Sequence, residues 1–394
     1  MQTAARKTIL ILMSDTGGGH RTVAEAIREA VQLLYPERYT VIVEDLFLRS
    51  RWPGPRAPKM YLPLITYAPW AWGRSFHWTT GPHGRRALNR LFARLQTDAL
   101  TRLYARYQPA LVVSVHPMMT TVPRQVLRSS GLAAPFATVV TDLMDAHPLW
   151  FDPASDLIVV PNTEAAERAC CLGVSLEKLR VIPLPIRLDA ARVATAPREC
   201  RSALGLDPDR PMALLVGGGE GMGPLHAIAR AISEARLPLQ LAVIAGRNAA
   251  LKKRLAETVW DIPVHVEGFV SNMPTWMRAS DLIITKAGSI TIIEALAAAL
   301  PILLSGYLPG QEEGNVRFVE QNGVGVLRST PRAIVEELRA WLTPGHDALA
   351  QMQTRAHLLA CPQTALDIAE LLVVQQGLIL TPAQSSRGSA SRGC

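Results

Sequence analysis

The chain has 394 residues, of which 48% are hydrophobic, and a formal net charge of +8 at pH 7. This length predicts two domains or one large domain with a sizeable core. Its five cysteines show neither C-x-x-C spacing nor a paired framework, which argues against a disulfide scaffold or a cysteine zinc site. No run reaches the roughly 18 uninterrupted apolar residues of a spanning helix, and the N-terminal apolar run lacks a cleavage site, so we expect a cytoplasmic protein.

The first predicted element is a buried parallel strand over residues 8–13, which runs directly into a glycine-rich loop. The loop reads Ser-Asp-Thr-Gly-Gly-Gly-His over residues 14–20, and helical spacing follows over residues 23–34. It matches neither a G-x-G-x-x-G dinucleotide fingerprint nor a Walker A loop, which argues against a dinucleotide-dependent oxidoreductase. We expect the helix N-terminus to attract negative charge and to hold His20 where a proton moves. The alternative is a structural turn whose histidine only forms a cap.

A basic and aromatic segment follows, because residues 46–97 contain no Asp or Glu but four of the eight tryptophans. Basic residues interleaved with Trp and Tyr are typical of proteins at an anionic membrane interface, although nucleic acid attracts the same residue types. Residues 60–73 are uncharged and interrupted by prolines, which suits shallow insertion among lipids. We therefore predict binding to an anionic membrane surface, or else a core segment with a solvated basic face. The predicted membrane contacts are Trp70, Trp72, Trp78, Arg85 and Arg86.

Strand-like runs alternate with helical patterns through both halves of the chain. Predicted strands cover residues 39–43, 111–115, 137–141, 157–160, 212–216, 240–245, 264–266, 282–285 and 302–305. Predicted helices cover residues 86–107, 226–235, 249–259, 290–299, 331–342 and 364–374. This alternation predicts α/β architecture with two parallel sheets, as two Rossmann-like domains facing a cleft. We predict an N-terminal acceptor and membrane-binding domain (1–186), a linker (187–200), a C-terminal sugar-nucleotide domain (201–362), a returning helix (363–378) and a disordered tail (379–394).

The second half carries two further glycine-containing turns and a polar loop. Residues 217–223 form a glycine-rich turn after one strand, and residues 285–295 again read as strand, small-residue turn and helix. Backbone amides of residues 288–291 can hold a pyrophosphate, and Glu294 can bind ribose hydroxyls or simply match the helix dipole. The loop at residues 309–315 has the polar character of a site for a hydroxyl-rich ligand.

Four stretches together closely resemble the monogalactosyldiacylglycerol synthases, which are related to the lipid-linked N-acetylglucosaminyl transferase of peptidoglycan synthesis. These are residues 13–21, residues 113–117, residues 138–151, and residues 284–294 with 309–315. The resemblance covers residues 8–375 and implies the GT-B fold and an inverting UDP-sugar hexosyltransferase. Bacillus-type diacylglycerol glucosyltransferases typically have Gly-Asn-Gly-His where this chain has Gly-Gly-Gly-His, which favours galactose.

The resemblance also implies residue roles. His20 is the expected catalytic base. The expected donor-binding residues are Gly218, Gly219, Phe269, Val270, Gly288, Ser289, Ile290, Thr291, Glu294, Gln311, Glu312 and Arg187. The expected acceptor or lipid contacts are Gly18, Gly19, Asp142, His147 and Trp150.

The resemblance implies UDP-galactose as donor and 1,2-diacylglycerol as acceptor, at the cytoplasmic face of a membrane, with no nucleic acid partner. It implies no tightly bound cofactor or metal, since the one Asp-x-Asp, Asp207-Pro208-Asp209, has turn character. Two alternatives stay open: a UDP-glucose-dependent diacylglycerol glucosyltransferase, and a non-enzymatic peripheral membrane protein. The second would explain residues 46–97 but not His20, Glu294 and Gln311. The sequence does not predict the oligomeric state.

Overall fold

The computed structural model describes residues 6–15, 18–56, 60, 63, 68–191, 195–343, 345 and 347–380. The chain divides into two compact units. The first comprises the described residues up to Leu188 and those from Gln363 onward, and the second is Asp189–Pro362. The division between Leu188 and Asp189 falls within the predicted linker, residues 187–200. This segment contains the short helix Leu188–Ala191 and the first four residues of the helix Pro197–Ala203.

Each unit is built on a six-stranded sheet in which every pairing is parallel. The first sheet has the order β2-β1-β3-β4-β5-β6 and the second the order β12-β11-β10-β7-β8-β9. The strands are β1 (Lys7–Met13), β2 (Tyr39–Asp45), β3 (Leu111–Ser114), β4 (Phe136–Val139), β5 (Leu157–Val160), β6 (Leu179–Val181), β7 (Met212–Val216), β8 (Gln240–Ile244), β9 (Val264–Glu267), β10 (Leu282–Lys286), β11 (Ile302–Gly306) and β12 (Gly325–Leu327).

Helices connect these strands and cover the sheets. They are α1 (Gly19–Leu34), α2 (Leu46–Arg49), α3 (Pro69–Thr80), α4 (Pro82–Tyr107), α5 (Thr121–Ser129), α6 (Thr163–Cys171), α7 (Leu188–Ala191), α8 (Pro197–Ala203), α9 (Leu225–Glu234), α10 (Ala249–Ala256), α11 (Met273–Ala279), α12 (Ser289–Ala297), α13 (Glu313–Gln321), α14 (Pro331–Trp341), α15 (Ala348–Leu359) and α16 (Thr364–Leu380). Because both faces of each sheet are covered, the central strands are almost continuously apolar, as β1 and β7 show.

The C-terminal helix belongs to the first unit. Helix α16 packs against α1, and Thr364 at its start donates a hydrogen bond from Oγ1 to the Leu184 carbonyl oxygen at 3.2 Å. It runs to Leu380, two residues into the predicted tail, and residues 381–394 lie outside the described part of the chain.

One stretch, Ala348–Val374, is long and apolar enough to cross a membrane by length and composition alone. This stretch consists of α15 and part of α16, with residues 360–363 outside either helix. The two helices also belong to different units, since the division falls between Pro362 and Gln363. We therefore treat the stretch as weak evidence for a membrane span.

The strand orders locate the ligand-binding edges. In the first sheet, β1 lies between β2 on one side and β3 on the other, so the strand order changes direction between β1 and β3. In the second sheet, β7 lies between β8 and β10, and the order changes direction between β7 and β10. Ligands in such sheets bind beyond the carboxyl ends of the strands at these switch points. The loops that follow β1 and β3, and those that follow β7 and β10, are accordingly where functional side chains are expected.

Candidate active site

His20 lies at the switch point of the first sheet. Its helix begins at Gly19, and the preceding Gly18 has a φ of +86°, a left-handed conformation that favours glycine. His20 Nδ1 lies 2.8 Å from the Val115 carbonyl oxygen, which follows β3. Because a carbonyl oxygen only accepts, Nδ1 carries the proton and Nε2 keeps its lone pair. The ring is therefore held in the tautomer that a general base requires.

The surroundings of His20 keep its ring uncharged at neutral pH. Burial lowers the pKa of His20 to about 4, against the opposing effects of the Val115 hydrogen bond and the negative charge of Asp15. The His116 ring lies 4.4 Å from the His20 ring between centroids, and burial, with His20 nearby, lowers the pKa of His116 well below its usual value. Thr141 Oγ1 also contacts His20, at 2.9 Å from Nδ1.

Asp15 provides the nearby negative charge. Its Oδ2 accepts from Arg21 Nε at 3.1 Å, and its backbone N–H donates to Asp45 Oδ2 at 3.0 Å. Asp15 Oδ1 is buried and has no hydrogen-bond partner among the residues that the structure describes. Asp15 is part of the predicted loop, but sequence patterning gave it no role. Its position favours positive charge as it develops on His20.

Asp142, His147 and Trp150 form a buried hydrogen-bonded cluster next to the histidine. Trp150 Nε1 donates to Asp142 Oδ2 at 2.7 Å, and the His147 backbone N–H donates to the same oxygen at 3.2 Å. Burial raises the pKa of Asp142 to about 6. The Trp150 ring is 6.1 Å from that of His20 and is fully buried in the core. These buried contacts position the loop beside His20, and the expected contact of Asp142 and Trp150 with the acceptor or lipid stays a prediction.

His147 joins this cluster to helix α3. Its Nδ1 accepts from the Leu149 backbone N–H at 3.1 Å, so Nε2 carries the proton of the neutral ring and lies 3.1 Å from Thr79 Oγ1. Burial lowers the pKa of His147 to about 4. His147 is therefore a buried residue that supports this cluster, and its expected contact with the acceptor or lipid stays a prediction.

The glycine turn after β7 has a conformation that other residues would disrupt. Gly218 and Gly221 have φ angles of +71° and +62°, and a Cβ on Gly221 would overlap the Ala245 carbonyl oxygen. Gly219 lies beside Arg247, whose backbone N–H donates to the Gly219 carbonyl oxygen at 2.9 Å. The turn thus brings main-chain groups close to the switch point of the second sheet.

The neighbouring strand, β10, leads into the second predicted phosphate turn. Gly288 caps helix α12, which begins at Ser289 and continues through Ile290 and Thr291. The free N–H groups and positive dipole end of this helix suit an anionic ligand. Glu294 lies farther along the same helix and is half-buried.

A lysine that sequence patterning missed lies between the two turns. Lys286 Nζ is 3.2 Å from the position that a Cβ would occupy on Gly288, and its Cε is 3.9 Å from the equivalent position on Gly218. Lys286 donates to Glu312 Oε1 at 2.5 Å, and Glu312 Oε2 accepts from the Leu308 N–H at 2.9 Å. Glu312 is buried and bound through both oxygens, so it holds Lys286 in place, and its expected contact with the donor sugar stays a prediction.

Two amide side chains beside this ion pair have unused acceptors. Gln311 Oε1 and Asn315 Oδ1 are buried and have no hydrogen-bond partner among the residues that the structure describes. Asn315 Nδ2 donates to the Ala287 carbonyl oxygen at 2.8 Å, and this bond helps to hold the turn that precedes helix α12. Both oxygens are suited to accept from ligand hydroxyl groups. The sequence indicated Gln311 but assigned no function to Asn315.

Phe269 and Val270 follow β9 in the same unit. Phe269 is 59% exposed, and the Arg247 guanidinium lies 4.7 Å from its ring centroid. Arg247 Nη1 also pairs with Glu220 at 2.7 Å. The exposed ring and stacked guanidinium form a flat surface that suits a planar base.

Arg187 has an ion-pair partner within the first unit. The structure pairs it with Glu29 of helix α1 at 3.3 Å, and both residues belong to the first unit. The expected contact of Arg187 with a donor phosphate stays a prediction. Among the described residues, no group of three or more His, Cys, Asp or Glu side chains is arranged to hold a metal ion.

The predicted membrane residues divide into exposed and packed side chains. Trp70 and Trp78 on helix α3 are 69% and 60% exposed. Trp72 is half-buried, and its ring lies 6.3 Å from that of Phe76 between centroids, so it packs within the unit. On helix α4, Arg86 is exposed and Arg85 is half-buried. Lys59, Tyr61 and Tyr67 of the same segment lie outside the described residues.

The two six-stranded parallel sheets, one in each unit, are those of the GT-B fold, as predicted. The structure resembles MurG of Acinetobacter baumannii with a TM-score of 0.58 and 14% identity, over 93% of this chain and 99% of that one. It resembles MnaA of Staphylococcus aureus, solved with UDP, with a TM-score of 0.60 and 14% identity, over 97% and 100% of the two chains. At this identity, the likeness concerns the fold.

Sequence comparison identifies the family. The family model for monogalactosyldiacylglycerol (MGDG) synthase matches residues 20–186, and that for the glycosyltransferase family 28 C-terminal domain matches residues 213–372. The probable chloroplastic MGDG synthase 2 of Oryza sativa subsp. japonica is 40% identical over 94% of this chain and 81% of its own length. The chloroplastic MGDG synthase 1 of Arabidopsis thaliana is 39% identical, over 92% and 70% respectively. The chain belongs to the monogalactosyldiacylglycerol synthase family and is a UDP-sugar glycosyltransferase, which confirms the predicted family and enzyme class.

Proposed function

We propose that the chain transfers galactose from UDP-galactose to the free hydroxyl group of 1,2-diacylglycerol and forms β-monogalactosyldiacylglycerol. Membership of the MGDG synthase family supports this donor and this acceptor. The observation that carries the mechanism is the His20 tautomer, in which Nδ1 donates to the Val115 carbonyl oxygen and Nε2 is left to accept a proton.

The reaction is a single displacement. The acceptor hydroxyl oxygen attacks the anomeric carbon of the sugar while its proton passes to Nε2 of His20. The bond from the anomeric carbon to the phosphate oxygen breaks, and its electron pair leaves with UDP. Attack opposite the leaving group inverts an α-linked donor to a β-linked product. General-base assistance of this kind contributes about 10²–10⁴-fold, and Asp15 stabilises the imidazolium as it forms.

The second unit supplies the donor contacts. The start of helix α12 and the Lys286 ammonium neutralise the diphosphate, and no tightly bound cofactor takes part in this proposal. Glu294 binds the ribose hydroxyls, and the unused Gln311 Oε1 accepts from a hexose hydroxyl. The Phe269 and Val270 surface holds the uracil ring.

The proposed location is the cytoplasmic face of an anionic membrane, as a peripheral protein that binds no nucleic acid. Helix α3 supports this location because its exposed face combines Trp70 and Trp78 with Arg74. Tryptophan rings favour the membrane interface, and basic side chains favour anionic headgroups. A diacylglycerol acceptor is also available only in a lipid phase.

A transfer assay tests the donor and the acceptor together. Purified protein is incubated with diacylglycerol vesicles and carbon-14-labelled UDP-galactose or UDP-glucose at equal concentration, and lipid-extracted label is counted. We expect label in the lipid from UDP-galactose, transfer slower by at least about 10²-fold with His20→Gln, and a β anomer from the H1–H2 coupling in proton NMR. Greater transfer from UDP-glucose would support the glucosyltransferase alternative. Vesicle binding without transfer from either donor would support the non-enzymatic alternative.

A further inference from the structure

A second histidine, His116, packs directly against His20. The two ring centroids are 4.4 Å apart, and the ring planes are tilted by 51°. His116 is buried and follows Val115, whose carbonyl oxygen contacts His20 Nδ1. Two consecutive residues after β3 therefore contact His20, one through a main-chain oxygen and the other through a side-chain ring. The proposed reaction uses the first contact and gives the His116 ring no role.

A hydrogen bond and an aromatic neighbour fix the orientation of the His116 ring. Its Nδ1 accepts from the Met118 backbone N–H at 3.2 Å, which caps the short turn Pro117–Met119. The proton of the neutral ring is therefore on Nε2. Phe47 of helix α2 packs against the same ring, at 5.9 Å between centroids. A ring that is bonded at one atom and packed in this way presents a fixed surface to His20.

The turn that His147 caps shows which part of this arrangement is particular to His116. His147 Nδ1 also accepts from the backbone N–H two residues later, at 3.1 Å, so both histidines cap a turn in the same way. The His147 ring, however, packs against Phe76, at 4.9 Å between centroids. Capping therefore explains the acceptor nitrogen of both histidines, but it does not explain why one of the two rings lies on His20.

His20 benefits from a close neighbour because a general base acts only when it is unprotonated and correctly oriented. A displacement of about 1 Å can cost about 10²-fold in rate. A ring in contact with the imidazole restrains its rotation and excludes water from that side. The same loss of water contact is what lowers the pKa of His20 to about 4.

The other groups around His20 do not supply this effect. Asp15, in the loop after β1, favours the protonated ring, and Arg21 of helix α1 pairs with Asp15 at 3.1 Å. Thr141, after β4, contributes an uncharged hydroxyl oxygen at 2.9 Å from Nδ1. The Trp150 ring is farther from His20 than His116 is, at 6.1 Å between centroids.

On the basis of the proposed role of His20 as general base, we propose that His116 is its positioning residue. The His116 ring holds the His20 imidazole in the orientation that the transfer reaction needs and shields it from water. The two consecutive residues then divide the task, since the Val115 carbonyl oxygen selects the tautomer and the His116 ring fixes the orientation.

The first experiment observes His20 itself, in the full chain and without any substrate. His116→Asn keeps a side-chain acceptor for the N–H two residues later but removes the ring. Chains labelled with carbon-13 and nitrogen-15 histidine are titrated by NMR from pH 5 to pH 8, and His20→Gln assigns the His20 signals. In the wild type, His20 should stay neutral with its proton on Nδ1. In His116→Asn its titration midpoint should rise by more than about 1 pH unit, because water reaches the ring.

Transfer kinetics provide the second measurement. His116→Asn should lower kcat at pH 8 by about tenfold, because the imidazole is less well oriented. The ratio of kcat/KM at pH 5.5 to kcat/KM at pH 8 should fall by a further factor of about three to ten, because the base is then partly protonated at the lower pH. The Kd of UDP should stay within about twofold of the wild type, since the proposed donor contacts lie in the second unit.

Two matched variants separate the ring from the cap. His116→Phe keeps a ring of similar size but loses the acceptor for the Met118 N–H. If its melting temperature shows that it folds, it should keep His20 neutral and retain most of the turnover. His147→Asn makes the same change at the other capping histidine, and it should leave the titration of His20 where it is in the wild type.

Three results would overturn the proposal. An unchanged titration of His20 in His116→Asn would show that the ring does not shield the base. Equal effects of His116→Asn and His116→Phe would assign the effect to the cap, and equal effects of His116→Asn and His147→Asn on the titration would indicate general loosening of the unit. Absence of sugar transfer by the wild type would contradict the proposed function instead, and the titration would still test the contact between the two rings.

Discussion

The two units use different chemistry at equivalent places in the fold. At the switch point of the first sheet, His116, His147 and Asp142 are buried and His20 is half-buried. Desolvation moves the pKa of each of these four groups toward the uncharged form. At the switch point of the second, glycine turns, a helix N-terminus and the Lys286–Glu312 ion pair provide main-chain donors and a fixed charge. Proton transfer needs an uncharged base, whereas an anionic donor needs fixed positive groups. The same architecture therefore supports both tasks through different side chains.

The largest effect should follow removal of the proposed base, His20, from the first unit. His20→Gln should lower kcat at least about 10²-fold, because the loss of general-base assistance removes stabilisation that exists only in the transition state. UDP affinity, measured by calorimetry, should change little. Loss of UDP binding with normal turnover per bound complex would contradict the division of roles between the two units.

The second effect concerns the fixed charge of the second unit. Lys286→Met should raise the Kd of UDP by about tenfold to a hundredfold, because a charged hydrogen bond to phosphate contributes on the order of 1.5–3 kcal/mol. The control, Lys253→Met, removes an exposed lysine from helix α10 of the same unit and should have no such effect. An unchanged Kd combined with reduced turnover would assign Lys286 to the chemical step instead.

A smaller effect should follow from the buried carboxylate of the first unit. Asp142→Leu leaves the Trp150 indole N–H and the His147 backbone N–H without their acceptor, so the free energy of unfolding should fall by about 1–3 kcal/mol. Asp142→Asn keeps an acceptor oxygen and should cost less. Urea denaturation of both variants measures the difference. Equal destabilisation would show that charge, rather than the acceptor, is what the cluster requires.

The smallest effect should appear in the pH dependence of stability. The pKa values of His20 and His147 fall to about 4 in the folded chain, so the unfolded chain binds protons first as pH falls below 6.5. Stability should therefore decline from pH 6.5 through pH 4. Asp142 opposes this decline, because its raised pKa of about 6 makes the folded chain bind a proton first. His147→Gln should flatten the decline in melting temperature, and an unchanged slope would contradict it.

Local sequence patterns predicted the strands and turns whose own residues form a recognisable apolar or glycine-rich pattern. Strands β5 and β7 have the predicted bounds, and the glycine turns lie where strand, small residues and helix follow one another. Strands β6 and β12 were missed because each has three residues at the edge of its sheet, which is too short for a periodic pattern. Thr141 and Asp142 were expected at the end of a strand or beside it, and β4 ends earlier, at Val139.

Partners distant in sequence could not be predicted in this way. The Lys286–Glu312 pair joins residues that are 26 positions apart, and the Arg187–Glu29 pair joins α1 to the end of the first unit. Trp150 resembles an interfacial tryptophan in sequence, but its indole N–H is bound to Asp142 inside the core. Such contacts depend on how strands and loops meet, which composition and spacing do not determine.

The hydrogen bond from His20 Nδ1 to the Val115 carbonyl oxygen limits what side-chain substitutions can reveal. The group that fixes the histidine tautomer is a main-chain carbonyl oxygen, which every amino acid carries. Substitution of Val115 alters packing but leaves that acceptor in place. A mutational scan would therefore detect His20 but not Val115, although the Val115 carbonyl oxygen fixes the tautomer of the histidine.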